Sequence, residues 1–110
     1  GNPWFLYDAK FTSTTKDGDL VQITEDGEVI ITEKDLLPNH FINATERLLV
    51  TLSENILRIN DVEIELDYGL YTSPQIIQNQ DKSWVILTDT QAKKLYVFDE
   101  FGNLLNGFPV

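Results

Sequence analysis

The chain lacks cysteine and methionine altogether, has one histidine, and is poor in basic residues. Without cysteine, the sequence excludes disulfides, thiolate metal ligands and a cysteine nucleophile. It has 8 basic residues against 18 acidic ones, for a formal net charge of -10. Because a field of this sign repels phosphate backbones, we expect that nucleic acid is not a partner.

Long hydrophobic runs are also missing. No apolar run approaches the roughly 18–20 residues of a membrane span, so we expect no membrane insertion. The first residues, Gly1, Asn2 and Pro3, lack the charged and apolar regions of a signal peptide. We interpret the chain as a piece of a longer polypeptide, which leaves its compartment open. An apolar fraction of 42% suits a single packed domain.

The sequence contains an internal repeat of about 36–39 residues. Residues 20–30, 56–66 and 95–105 each read as a strand, a tight polar turn and a second strand. Two upstream sets of strands return nearly the same period. One set begins at Phe11, Leu49 and Val85, and the other at Phe5, Phe41 and Ile76.

These patterns predict an all-β fold of three tandem four-stranded antiparallel blades, a partial β-propeller. The predicted repeats are about 1–37, 38–70 and 71–110, within one domain. Residues 32–39, the best helical candidate, and residues 67–74 are predicted to be linkers, with Pro38 limiting the first to one turn. We expect bulky aromatic residues to pack between blades, the candidates being Trp4, Trp84, Phe98, Phe101 and Phe108.

The last repeat, KLYVFDEFGNLLNGFPV over residues 94–110, resembles the outer hairpin of quinoprotein-like (PQQ-repeat type) propeller repeats. Residues 18–31 share the likeness in part, and residues 53–66 share it poorly. The ending resembles repeats of bacterial secreted and surface propellers, which implies a periplasmic or cell-surface location. Because the family's enzymes use a vicinal cysteine pair and ligands from many blades, the resemblance implies the fold and no cofactor.

Residues that carry chemistry are few. His40 follows Asn39 without an orienting carboxylate or nucleophile at fixed spacing, so we predict a structural or solvated role. The acidic residues fall mainly in turns, and the nearest approach to a calcium loop, residues 16–19, is too short. We therefore predict no catalytic, cofactor-binding or metal-binding residues. Asn43 begins a glycosylation sequon, which we interpret as chance because it falls in a predicted strand.

The sequence favours a non-catalytic interaction or scaffold module, with a protein or a glycan as partner. Two alternatives remain open: a fragment of a propeller enzyme whose active site is completed elsewhere, and a structural spacer of a larger surface protein. The predicted binding face consists of Tyr7, Tyr68 and Tyr71, taken as exposed aromatics. An open array of three blades leaves an apolar face at each end, so we expect either a homodimer that completes a six-blade ring or end blades that are capped by the chain termini.

Overall fold

The computed structural model describes residues 2–34, 36–37 and 39–110. Within these residues the chain forms eleven strands and no helix, which confirms the all-β prediction. The strands form three antiparallel sheets of four, four and three strands. No helix long and apolar enough to cross a bilayer is found in this part of the chain.

Each sheet is a meander of strands that follow one another in the sequence. Sheet 1 consists of β1 (Phe5–Tyr7), β2 (Lys10–Thr14), β3 (Asp19–Ile23) and β4 (Val29–Glu33). Sheet 2 consists of β5 (Phe41–Ala44), β6 (Leu49–Ser53), β7 (Ile56–Ile59) and β8 (Val62–Glu65). Sheet 3 consists of β9 (Gln75–Asn79), β10 (Lys82–Asp89) and β11 (Lys94–Asp99).

The third sheet has three strands, where four were predicted. After β11 the chain turns at Gly102 and forms only an isolated bridge between Leu104 and Phe98. The N–H of Leu105 then donates to the carbonyl of Val97, and the backbone of Val110 pairs with Leu95. Because residues 106–109 form a turn in between, the ladder beside β11 is interrupted and no continuous fourth strand forms.

The three sheets stack face to face, with sheet 2 in the middle. A large apolar cluster lies between sheets 2 and 3, and it includes Val50, Leu57, Ile59, Val85 and Phe98. A smaller cluster lies between sheets 1 and 2, and it consists of Leu20, Ile42 and Leu49 with Phe5, Tyr7 and Ala44 packed against them. The five residues of β6 are all buried because both faces of this strand are covered.

The first strands of the three sheets are neighbours. β1 contacts β5, and β5 contacts β9. The N–H of Asp8 donates to the carbonyl of Glu46 at 2.8 Å, and the Asn43 side-chain amide donates to the carbonyl of Pro74 at 3.0 Å. The sheets are therefore joined along one edge as well as through their faces.

Gly18 fixes the turn between β2 and β3. Its φ is +91°, in the left-handed region that glycine tolerates. A side chain here would also collide with the backbone carbonyl of Leu36. The turn thus packs against the segment that leads from sheet 1 to sheet 2, and any larger residue would push the two apart.

The predicted linkers differ from each other in structure. Thr32 and Glu33, from the first predicted linker, belong to β4, and the described residues after them contain no helix; Asp35 and Pro38 lie outside the described residues. In the second linker, residues 70–72 pair with the end of β10. Gly69 approaches the Asp89 carboxylate so closely that a Cβ would overlap it.

Candidate functional site

An exposed apolar surface lies on the face of sheet 1 that points away from sheet 2. Successive residues of a strand point to opposite faces, so the residues alternating with Phe5, Tyr7 and Leu20 lie on this side. Cross-strand pairing aligns Leu6 with Phe11, Phe11 with Ile23, and Ile23 with Val29. We call this surface the outer face of sheet 1; its apolar residues are Leu6, Phe11, Val21, Ile23, Val29 and Ile31.

This face is bare. The exposed fraction is 52% for Leu6, 55% for Phe11, 58% for Val29 and 65% for Ile31. Trp4, which precedes β1, is 53% exposed. Scattered exposed apolar residues are ordinary, but aligned rows on one sheet form a contiguous patch of the kind that marks interaction sites.

Sheet 3 has an apolar outer face as well. Val85 and Leu87 point into the cluster with sheet 2, so Trp84 and Ile86 lie on the opposite side. Ile77 pairs with Trp84, and Val97 pairs with Ile86. Apart from Ile77, which is 47% exposed, these residues are buried or half-buried. We call this surface the outer face of sheet 3.

A cavity of about 490 Å³ opens beside the outer face of sheet 3. Two of its carboxylates have partners in the fold: Asp99 Oδ1 accepts the N–H groups of Phe101 and Asn103, and Glu100 Oε2 accepts the N–H of Ser83. Glu100 also lies 4.0 Å from Arg47. The residues around the cavity are Asp81, Lys82, Ser83, Trp84, Asp99, Glu100, Phe101 and Leu105.

The structure separates the three predicted binding tyrosines. Tyr68 is 81% exposed in the segment between sheets 2 and 3. Tyr7 is half-buried between sheets 1 and 2, and its hydroxyl lies 3.5 Å from Asn60 Oδ1. Burial, with the nearby charges of Asp8 and Asp61, raises the pKa of Tyr7.

The prediction that Tyr71 is exposed was wrong. Tyr71 is 8% exposed because its ring packs in the cluster between sheets 2 and 3, edge-on to Tyr96 at 6.0 Å between centroids. Its hydroxyl donates to the carbonyl of Asp67 at 2.5 Å. Burial, with the neighbouring Tyr96, raises the pKa of Tyr71 well above its ordinary value. This tyrosine holds the linker onto sheet 3.

Of the aromatic residues predicted to pack between blades, some are buried between sheets and others are exposed. Phe98 is 3% exposed and packs between sheets 2 and 3, as predicted. Trp4 and Phe101 are 53% and 70% exposed, so neither packs between two sheets of this chain. Trp84 lies on the outer face of sheet 3.

His40 has polar neighbours at both ring nitrogens. Nδ1 lies 2.7 Å from the carbonyl oxygen of Leu37, which can only accept, so Nδ1 carries the proton. Nε2 lies 2.6 Å from Thr14 Oγ1, within hydrogen-bond distance. Thr14 Oγ1 in turn accepts from the side-chain amide of Asn2. These contacts connect sheet 1 with the segment that leads to sheet 2.

The acidic side chains of the described residues are dispersed. In the part of the chain that the structure describes, no group of three or more His, Asp or Glu residues is close enough to hold a metal ion. Asp89 is the most enclosed carboxylate and is 2% exposed. Its Oδ1 accepts backbone N–H groups from Leu70, Gln91 and Ala92 at 3.0–3.2 Å, which closes the β10–β11 turn and anchors the linker.

A sequence reading could have found the outer face of sheet 1 from β4. Val29, Ile30 and Ile31 are consecutive β-branched residues with no polar alternation. Such a run is typical of a strand that is covered on both faces. Comparison with known proteins does not identify the surface: no protein-family model, curated protein or solved structure matches the chain. The quinoprotein-like resemblance therefore stays a prediction.

Proposed function

We propose that the chain is a non-catalytic interaction module built from three β-propeller-like blades, and that it binds a further β-sheet on the outer face of sheet 1. The observation that carries this proposal is the exposure of that face. Leu6, Phe11, Val29 and Ile31 are each more than half exposed on a strand surface that is suited to burial.

The blade interpretation is supported by how the sheets meet. Antiparallel meanders of four, four and three strands stack face to face, and their first strands lie side by side. In a propeller, each blade buries its faces on its two neighbours. Sheet 2 has this environment on both sides, whereas sheets 1 and 3 each have it on one side.

The hydrogen bonds of the histidine and of several carboxylates favour a binding role over catalysis. The histidine ring is hydrogen-bonded at both nitrogens. Asp89, Asp99 and Glu100 accept backbone N–H groups in turns and loops. Groups held in this way stabilise the fold and are poorly placed to exchange protons with a substrate. The two alternatives, an enzyme fragment and a spacer, stay predictions.

The proposal is tested by placing a charge on the face. In Ile31→Glu, we expect the wild-type circular dichroism spectrum and melting temperature, together with a clear loss of Nile red fluorescence at high dilution. Nile red is neutral, so the net charge of the chain does not repel it. The matched control is Thr32→Glu, which adds the same charge to the neighbouring residue on the opposite side of β4; we expect wild-type dye binding.

Two results would overturn the proposal. If Ile31→Glu unfolds the chain, the face belongs to the core of the isolated domain. If Ile31→Glu folds and binds as much dye as the wild type, the face is not an accessible apolar surface.

A further inference from the structure

We infer that a second copy of this chain covers the outer face of sheet 1 with the outer face of its own sheet 3, so that two chains close head to tail. This inference rests on the proposed function and names the occupant of the same face.

The chain already makes this kind of junction twice. Sheet 1 packs on sheet 2 through Leu20 on one side and Ile42 with Leu49 on the other. Sheet 2 packs on sheet 3 through Leu57 on one side and Val85 on the other. We call the face of a sheet that points in the direction from sheet 1 to sheet 3 its forward face, and the opposite face its backward face. In both junctions, the forward face of one sheet meets the backward face of the next sheet.

The two outer faces are the two halves of such a junction. The outer face of sheet 1 is a backward face, like the faces of sheets 2 and 3 that carry Leu49 and Val85. The outer face of sheet 3 is a forward face, like the face of sheet 2 that carries Leu57. Phe11 and Ile31 on one side, and Ile77 and Trp84 on the other, supply apolar surface to both halves. A second copy therefore presents the matching half to each outer face; on the outer face of sheet 3, Ile77 is exposed and Trp84 is half-buried.

The size of the faces favours closure over a single contact. Four strands about 4.8 Å apart and five residues long, at about 3.3 Å per residue, cover on the order of 300 Å² in projection. One junction buries about twice that area, which is below the roughly 1,200 Å² at the lower end of stable interfaces. A closed pair has two junctions and reaches that range. A pair joined through two sheet 1 faces would have only one.

Charge opposes the pairing and makes it sensitive to salt. Each chain has a formal net charge of -10, so two copies repel at low ionic strength. The Debye length falls from about 10 Å at 0.1 M salt to about 3 Å at 1 M. Association through apolar faces should therefore strengthen as sodium chloride is added, whereas association through ion pairs would weaken.

The test is the mass of the full chain in solution, measured by light scattering coupled to gel filtration across a dilution series at low and high salt. We expect a species of twice the chain mass, with its share rising with salt. A monomer at every concentration and salt would overturn the inference. If that monomer still binds Nile red in the manner described above, the proposed function stands. A ladder of larger species would overturn closure.

Four variants identify the faces. Ile31→Glu and Ile77→Glu place a charge on the outer faces of sheets 1 and 3, and we expect each to be monomeric where the wild type is paired. Their controls, Thr32→Glu and Gln78→Glu, add the same charge to exposed neighbours on the opposite sides of β4 and β9, and we expect them to pair. A dimeric Ile77→Glu would show pairing through sheet 1 alone and overturn the head-to-tail arrangement.

A mixture of the two outer-face variants gives a further readout. An equimolar mixture of Ile31→Glu and Ile77→Glu contains one intact junction, between the unmodified face of sheet 1 on one chain and that of sheet 3 on the other. We expect mixed pairs at high concentration and high salt, where neither variant pairs alone. No mixed pair under those conditions would count against the head-to-tail contact.

Discussion

Leu6 and Phe11 lie opposite each other across β1 and β2, and both are more than half exposed. An apolar pair without cover adds little to stability, because the stabilisation scales with the area removed from water. We predict that Phe11→Thr, which keeps a residue suited to strands, changes the unfolding free energy by less than about 1 kcal/mol. Urea denaturation of the monomer at high dilution measures this change.

The control for that prediction is Leu57→Ala. Leu57 is fully buried between sheets 2 and 3. Removing a buried leucine side chain typically costs about 2–5 kcal/mol, so this variant should be strongly destabilised. Equal losses in the two variants would mean that Phe11 is part of the core of the monomer.

The turn at Gly18 should not tolerate a side chain. In Gly18→Ala, a Cβ meets the backbone of Leu36 in a conformation that L-residues rarely adopt. We predict a loss of more than about 2 kcal/mol, with the melting temperature as the measurement. Gly27→Ala is the matched control, since Gly27 has φ +83° but open space around it, and it should cost about 1 kcal/mol. A smaller loss at Gly18 than at Gly27 would contradict the predicted contact.

Ionisation of the Asp89 carboxyl should make the unfolding free energy depend on pH. Burial works to raise the pKa of Asp89, but the N–H donors of Ala92, Leu70 and Gln91, with the charge of Lys94, outweigh burial and hold the pKa below its ordinary value. A carboxyl with a lowered folded-state pKa stabilises the fold fully above its unfolded-state pKa of about 4. That stabilisation is lost as the pH falls through the folded-state pKa.

We therefore predict that Asp89→Asn lowers the unfolding free energy at neutral pH. The difference from wild type should shrink as the pH falls below about 4. Denaturation curves over a pH series measure it, with Asp26→Asn in an exposed turn as the control. A difference that stays constant with pH would show that the charge of Asp89 is not the cause.

The strands were well predicted because turn residues delimit them. Phe5, Phe41 and Ile76 lie in β1, β5 and β9, and the other predicted sets lie in the strands that follow. Gly27 and Asn60 adopt positive φ at the predicted turns. The interrupted fourth strand of sheet 3 was not predicted, since residues 103–105 carry the same strand signal as the earlier repeats.

The register between repeats was harder to predict. Leu20 and Ile56 were aligned as equivalents, but Leu20 faces the next sheet and Ile56 faces the previous one. The residue that faces the next sheet is Leu57, which is 37 residues from Leu20 and 38 from Leu95. A slip of one residue reverses the face of a strand. Because Ile56 and Leu57 are both apolar, the sequence pattern does not distinguish the two registers.

The existence of an exposed apolar sheet face could be predicted from the sequence, but the residues that form it could not. Uncovered apolar faces at the two ends follow from a three-blade array, but which residues form them depends on the register. Tyr71 illustrates the same limit. Its position beside Gly69 suggests an exposed loop, yet pairing with the end of β10 turns the ring into the core.

A buried hydroxyl without a partner gives the last prediction. Ser83 is 2% exposed, and within the described residues its Oγ has no hydrogen-bond partner. Because an unpaired buried hydroxyl costs free energy, Ser83→Ala should keep or raise the unfolding free energy, by up to about 1 kcal/mol. Ser53→Ala is the control, since Ser53 Oγ accepts the N–H of Leu37 at 2.9 Å and its loss should destabilise by about 1–3 kcal/mol. Equal destabilisation of both variants in urea would mean that the Ser83 hydroxyl is hydrogen-bonded in solution, and a buried water would then be the partner to look for.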